Sequence, residues 1–313
     1  MKNFARLLIF SALCLSASAS ANGQKLSESE LRAFLTRATE KTSEYSTVFK
    51  NLTAEETKTF ESFNKAGELK SQKKILSDLV IYESETKPGN LGEFRNIREV
   101  DGKQIKDGDR RTVKLFAKLA NTESFEQELE KPNRESSRYD EGISVHGFTL
   151  NQAMPVSSSF IESFKFEEIG GENIVGSDTV VVKFQQTAVN PNIDIRFNAP
   201  DFLEISDKFY RGIIGLDLKN YRVLKLISEL TFDSPKFTEP FVVMKQQYFY
   251  QPGKFEIYLP QKIIVENFNP RIEKSTKLLL KTGKIKPNSQ VQTRLTMGYK
   301  NFSKFDVTVK SAN

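Results

Sequence analysis

Hydrophobic positions along the chain follow two periods. Leu31, Phe34, Leu35 and Ala38 recur every three or four residues, which is the spacing of one helix face. Ser27-Glu28-Ser29-Glu30 precedes them with a capping serine and early acids, so a helix is expected from Ser27 to about Lys50. The period then drops to two. Residues 52–63 and 69–82 flank Asn64-Lys65-Ala66-Gly67, which reads as a hairpin turn. Phe94 to Val100 is a further strand, turned by Asp101-Gly102. Helical spacing returns in Val113, Leu115, Phe116, Leu119, Ala120, Phe125 and Leu129. It predicts helices at about 108–120 and 122–139, the second disturbed near Pro132. Met154 to Phe164 reads as a short helix.

Strands dominate the remainder. The expected segments are 163–169 and 178–187 across a Gly170-Gly171 to Gly176 turn, then 207–218 and 222–232 across Lys219-Asn220. Next come 241–250 and 255–268 around Gln251-Pro252-Gly253, and finally 274–281, 291–300 and 303–310. Short polar turns between successive strands predict an antiparallel meander. No Pro/Gly/Ser-rich linker divides the chain, so residues 22–313 are expected to form one domain, with 189–204 as a long loop. Several strands are apolar on both faces. Leu224, Leu226, Leu230 and Phe232 share one face of their strand, while Val223 and Ile227 lie on the other beside Lys225 and Glu229. Two explanations fit: a curved sheet with helices covering one side, or contact with a partner on the outer side. The first gives an α+β fold, a strongly curved antiparallel half-barrel with helices on its concave face.

The N-terminus changes the reading of composition. Met-Lys-Asn-Phe-Ala-Arg is basic, Leu7 to Leu15 is an apolar run of nine residues, and SASASA follows, the layout of a secretory signal peptide. Cleavage is expected near Ala21, which makes the mature protein periplasmic or secreted. Leu13, not a small residue, precedes Cys14, so Cys14 reads as part of the apolar core and not as a lipidation site. The chain has no other Cys, and the mature protein must be stabilised without disulfides. Losing Lys2 and Arg6 from 46 basic side chains leaves 44 against 40 acidic ones, with no dense basic block, so nucleic acid is not an expected partner.

Candidate chemistry is sparse. His146 is the single histidine, and with no second His or nearby Cys it reads as structural. There is no G-x-S-x-G elbow. Asp107 and Asp109 fit a turn and helix N-cap better than a cation loop. Gly170 to Gly176 lacks phosphate-loop spacing and reads as a hairpin turn. No catalytic residue, metal site or cofactor is expected. The composition instead carries 25 Phe against 9 Tyr and no Trp. That surplus suits a Phe-rich β core, or a greasy cavity for an acyl chain.

Three segments carry a resemblance. They are Glu93 to Phe116, the hairpin from Tyr210 to Lys225, and the closing Met297 to Val307. The first is similar to a strand–turn–helix segment of uncharacterised secreted bacterial proteins. The other two resemble the outer-membrane lipoprotein-sorting group that includes LolA, LolB and LppX. The resemblance implies a half-barrel with an apolar cavity between sheet and helices, used to bind lipid or acylated cargo in the envelope. This chain is longer than the small carriers, and no carrier cargo residue maps onto it. By strand alternation the ligand-facing side would include Leu216, Leu224, Leu226, Leu230, Met244, Tyr248, Leu295 and Met297. An apolar stripe is more often explained by packing on helices. The expected partner is a lipid or acyl chain, with an envelope protein as the alternative, for a chain peripheral to the membrane at most. A closed-core interaction module and a carboxylate-based hydrolase are the competing functions.

Overall fold

A computed structural model describes residues 25–84, 86, 87, 89–106, 124–143, 154–188, 207–253, 255, 257–270, 286, 287 and 289–304. Its first element, α1 (Glu28–Phe49), starts where the sequence places it. Ser27 Oγ accepts from Glu30 N, and the Glu30 carboxylate accepts from Ser27 N at 2.8 Å, so two orphan amides are satisfied reciprocally. Leu31, Phe34, Leu35, Ala38, Tyr45 and Phe49 form the buried face of α1. Helix α2 (Phe125–Ser136) begins at the Ser124 cap and runs through a buried Pro132 for one more turn, so the proline does not break it. The short helix expected at 154–164 is instead two 3₁₀ turns, Met154–Val156 and Ile161–Ser163. Three serines, Ser157 to Ser159, separate them and offer the backbone local alternatives to a continuous helix.

The strands are β1 (Leu52–Phe63), β2 (Leu69–Glu83), β3 (Leu91–Val100), β4 (Lys103–Gln104), β5 (Phe164–Ile174), β6 (Ser177–Gln186), β7 (Asp207–Asp217), β8 (Val223–Asp233), β9 (Phe241–Pro252), β10 (Tyr258–Pro270) and β11 (Ser289–Lys304). They form one sheet in the order β4-β3-β2-β1-β11-β10-β9-β8-β7-β6-β5. Every pairing is antiparallel. The sheet is not closed: β4 and β5 are its edges, and it curves into a half-barrel. Two meanders, β1–β4 and β5–β11, are therefore fused along β1 and β11.

Register fixes which side is inside. One line crosses the sheet through Glu168, Val182, Ile214, Leu226, Tyr248, Ile263, Met297, Lys58 and Ile75. All nine are buried, on the side that packs with the apolar face of α1. The opposite side carries ion pairs, among them Arg294 with Glu61 and Glu266, and Arg98 with Glu55 and Asp78. That is the inside-apolar, outside-charged alternation of a one-sided sheet.

Two expectations are corrected. The strands expected at 291–300 and 303–310 begin as one strand, because β11 continues through Asn301 at φ +57° as far as Lys304. Gly170-Gly171 is not a turn. It lies within β5 at a bulge between Glu168 and Gly170, and the turn is Val175-Gly176 alone, at φ +50° and +81°. Two successive positive φ values match the twist that a two-residue hairpin requires, and the cost falls on the β-branched Val175. The helix expected at 108–120, the strand at 274–281, the 189–204 loop, the signal peptide with Cys14, Asp107, Asp109 and His146 lie outside the described residues.

Gly212 in β7 is the most tightly enclosed of the described glycines. A Cβ there would sit 1.9 Å from the Ile227 carbonyl oxygen and 2.8 Å from the Phe184 ring. Gly212→Ala should therefore lower stability by about 3 kcal/mol, the upper end of overpacking costs. Chemical denaturation of the two proteins measures it, and an unchanged midpoint would contradict this packing.

Candidate functional site

Strand pairing brings the eight expected ligand-facing residues onto the helix-facing side. Leu226, Tyr248 and Met297 lie on the register line described above, and Leu295 pairs with Val265 beside it. Leu216 and Leu224 lie one step along their strands from Ile214 and Leu226, which pair with each other. These six are at most 2% exposed and belong to the main core cluster, packed with residues of α1. Leu230 and Met244 pair with each other toward the other end of the strands. There Leu230 joins a second cluster with Phe232, Phe237, Phe241 and Val243, against which the half-buried Tyr210, Met244 and Phe268 pack.

The same inner side carries charges the sequence reading did not select. Along β1 the buried positions are Leu52, Ala54, Glu56, Lys58 and Phe60. Two of these five are ionisable. The Arg95 guanidinium on β3 donates to Glu56 Oε1 at 2.7 Å and lies 3.0 Å from Glu93 Oε2. Ser77 Oγ donates to the same Glu56 oxygen at 3.3 Å. Lys58 Nζ donates to both oxygens of Asp140, at 3.2 and 3.3 Å, just beyond α2. Ser136, the last residue of α2, accepts the Arg95 backbone N–H at 2.9 Å. The side chains of Glu56, Lys58, Glu93, Arg95 and Asp140 are each no more than 4% exposed.

Burial alone would raise the Glu56 carboxyl, but the Arg95 guanidinium and the Lys58 ammonium hold it below its ordinary value. Burial, then the Arg95 charge, push the Lys58 ammonium below its usual value against the pull of Glu56 and Asp140. Desolvating five charges costs more than their attraction returns unless every partner is in place. The cluster therefore specifies how β1, β3 and α2 fit together. The period-two position of Glu56 and Lys58 between Ala54 and Phe60 was the signal available for finding them.

A third feature is a pocket of about 460 Å³ lined by Lys41, Lys219, Asn220, Tyr221, Arg222, Pro252, Gly253, Ile257 and Tyr258. It lies where α1 meets the β7–β8 and β9–β10 turns, and none of the eight expected residues lines it. Asp217, which does not itself line the pocket, holds three of its lining residues together. Its Oδ1 accepts Lys219 N and Asn220 N at 2.7 and 2.8 Å, and its Oδ2 accepts the Tyr258 hydroxyl at 2.5 Å. Burial would raise the Asp217 carboxyl, but these donors hold it low. Tyr221 sits at φ +58° with its ring 5.0 Å from Phe34, and Arg37 donates to its hydroxyl at 2.6 Å. Holding a tyrosine in the left-handed region costs about 1–3 kcal/mol, offset here by that clamp onto α1.

No known protein family and no curated protein matches the sequence. Solved structures do show similarity. An outer membrane lipoprotein-sorting protein domain from Vibrio parahaemolyticus is 9% identical, with 88% of this chain and 95% of that one covered at a TM-score of 0.38. A LolA superfamily protein from Nitrosomonas europaea is 10% identical over 87% and 94%, at 0.34. A DUF1329 family protein from Desulfovibrio piger is 9% identical over 90% and 95%, at 0.33.

The charge cluster makes a direct prediction. Arg95→Met removes the guanidinium that Glu56 and Glu93 share in the core and should cost about 3–5 kcal/mol. The folded-state value of Glu56 is lowered, so its stabilisation is present above the ordinary value of 4.5 and is lost as pH falls through the lowered one. Thermal melts from about pH 7 down to about pH 3 should show a steeper acid loss for the native chain than for Glu56→Gln. Parallel pH curves for the two proteins would contradict the assignment.

Proposed function

We propose that this protein is an exported, non-catalytic envelope protein that holds a lipid or acylated ligand on the helix-facing side of its half-barrel. Residues 22–313 act as one domain in this reading, released near Ala21 into the periplasm or beyond. The observation that carries it is the apolar line Val182–Ile214–Leu226–Tyr248–Ile263–Met297, unbroken across six strands, with a half-buried continuation at Tyr210 and Met244. An acyl chain gains about 0.8 kcal/mol for each CH₂ it buries, so such a surface binds without precise polar contacts. Ser228 lies on the same side between Leu226 and Leu230, and its buried hydroxyl has no hydrogen-bond partner among the described residues. It supplies one polar atom beside the proposed chain.

The ligand would enter at the Leu230–Met244 end and extend toward Leu226, Tyr248, Leu224, Leu216, Leu295 and Met297. A second reading has its own support. The close burial of those last six residues fits a closed core whose role is contact with another envelope protein.

Native mass spectrometry and lipid extraction of protein purified from its own envelope separate the two. The lipid reading expects a co-purifying lipid and saturable binding of a fluorescent fatty acid. Met244→Glu places a charge in the half-buried entrance and should weaken probe binding about tenfold while the fold persists. Absence of both lipid and probe binding rejects the lipid reading and leaves the closed-core one.

A further inference from the structure

The pocket between α1 and the two hairpin turns is unusual in its charge. Lys41, Lys219 and Arg222 all line it, and Arg37 stands beside it on Tyr221, with its guanidinium carbon 5.1 Å from the ring centroid. Glu44 is shared by two of the cations, at 2.7 Å from Lys41 Nζ and 3.0 Å from Arg222 Nη2. Lys41 is the first of the influences that lower the Glu44 carboxyl. Asp217, the other nearby acid, is occupied by two backbone amides and the Tyr258 hydroxyl. That leaves an excess of positive charge. The Lys219 ammonium has no ion-pair partner among the described residues.

Arg222 is the decisive side chain. It is only 11% exposed, and its Nη2 is used by Glu44. Its Nη1 is buried with no hydrogen-bond partner among the described residues, and its guanidinium carbon lies 5.8 Å from the Tyr45 ring centroid. A guanidinium is shaped to meet two oxygens of one anion. The other side of the pocket is apolar: Pro252, Ile257 and the Tyr258 ring. Its volume of about 460 Å³ falls in the range of small-ligand sites.

We propose that this pocket binds the oxyanion of a small amphiphile, a phosphate or carboxylate held by Arg222, Lys219 and Lys41, with its non-polar part against Pro252, Ile257 and Tyr258. Asn220 is a further donor at the rim; its side-chain amide already donates to the Tyr258 hydroxyl at 3.1 Å and can be shared. The site stands apart from the Leu230–Met244 entrance and does not depend on the acyl-chain reading.

Calorimetric titration of the mature protein tests it with four probes: sodium phosphate, octyl phosphate, octyl glucoside as the uncharged control, and vesicles of phosphatidylglycerol against phosphatidylcholine. Binding of inorganic phosphate would identify a free anion as sufficient. Binding of octyl phosphate or phosphatidylglycerol alone would identify a headgroup with its chain. Either outcome supports the site if raising salt from about 0.05 M to about 0.5 M weakens it. Arg222→Lys should reduce affinity about tenfold by losing the two-pronged contact. Lys219→Ala, at an exposed position, should reduce it about two- to fivefold without disturbing the fold, and it decides the matter if Arg222→Lys folds poorly. Met244→Glu should leave phosphate or octyl phosphate binding unchanged, which separates this site from the acyl site. The proposal is overturned if no anionic probe binds, if octyl glucoside binds equally well, or if both variants bind as tightly as the native chain.

Discussion

The pairing of β1 with β11 is the constraint on which the rest of the structure depends. It joins residues some 250 positions apart, as in the Thr53–Ser303 hydroxyl contact, and it turns two meanders into one sheet. It sets Glu56 opposite Tyr299 and Lys58 opposite Met297, so the charged stretch of β1 abuts the apolar stretch of β11 on the same inner side. A slip of one residue would send every side chain of β1 to the other face, exposing Leu52 and Phe60 and burying Thr57 and Glu55. The Arg95 and Asp140 contacts guard against that slip, because only one register gives Glu56 and Lys58 their partners.

The inner side consequently has two characters. From β5 to β11 it is almost wholly apolar, and α1 lies against it through Leu31, Phe34, Leu35 and Ala38. At β1 and β3 it becomes ionic, and α2 contributes by its C-terminal end, through Ser136 and the neighbouring Asp140. The pocket lies at neither. It forms where turns meet the helix, held by Tyr221 on Phe34, Asn220 on Tyr258 and Arg222 on Glu44. Loops positioned by a rigid scaffold are where binding groups concentrate.

Much of this was legible in the sequence. The capping serine, acids and i, i+3, i+4 spacing gave α1 to within a residue of its ends, and alternation gave β1, β2 and β7 to β10. The helix-facing side of β8 was readable too, because Leu224, Leu226 and Leu230 alternate with Lys225 and Glu229. Three things were not. Gly170-Gly171 looks like a turn because glycine is shared by turns and bulges, and only pairing with β6 tells them apart. The charged cluster was hidden because polar residues are read as solvated, although alternation places Glu56 and Lys58 inside. The pocket gathers residues from three separate segments, and no local pattern announces such a meeting.

The long span between β1 and β11 also shapes how the chain reaches its fold. Non-local pairing is slow, since loop closure is opposed by entropy before any contact forms. Until Ser289–Lys304 is in place, β1 is an exposed edge with unpaired amides and carbonyls, the kind of surface that recruits a neighbouring molecule. Glu56 and Lys58 then serve a different purpose from the one they serve in the finished core. A foreign strand adding to that edge would have to cover both charges without the Tyr299 and Met297 side chains that stand opposite them in the native sheet. The ion pairs that fix the native register also act as a safeguard against aggregation while the sheet is incomplete.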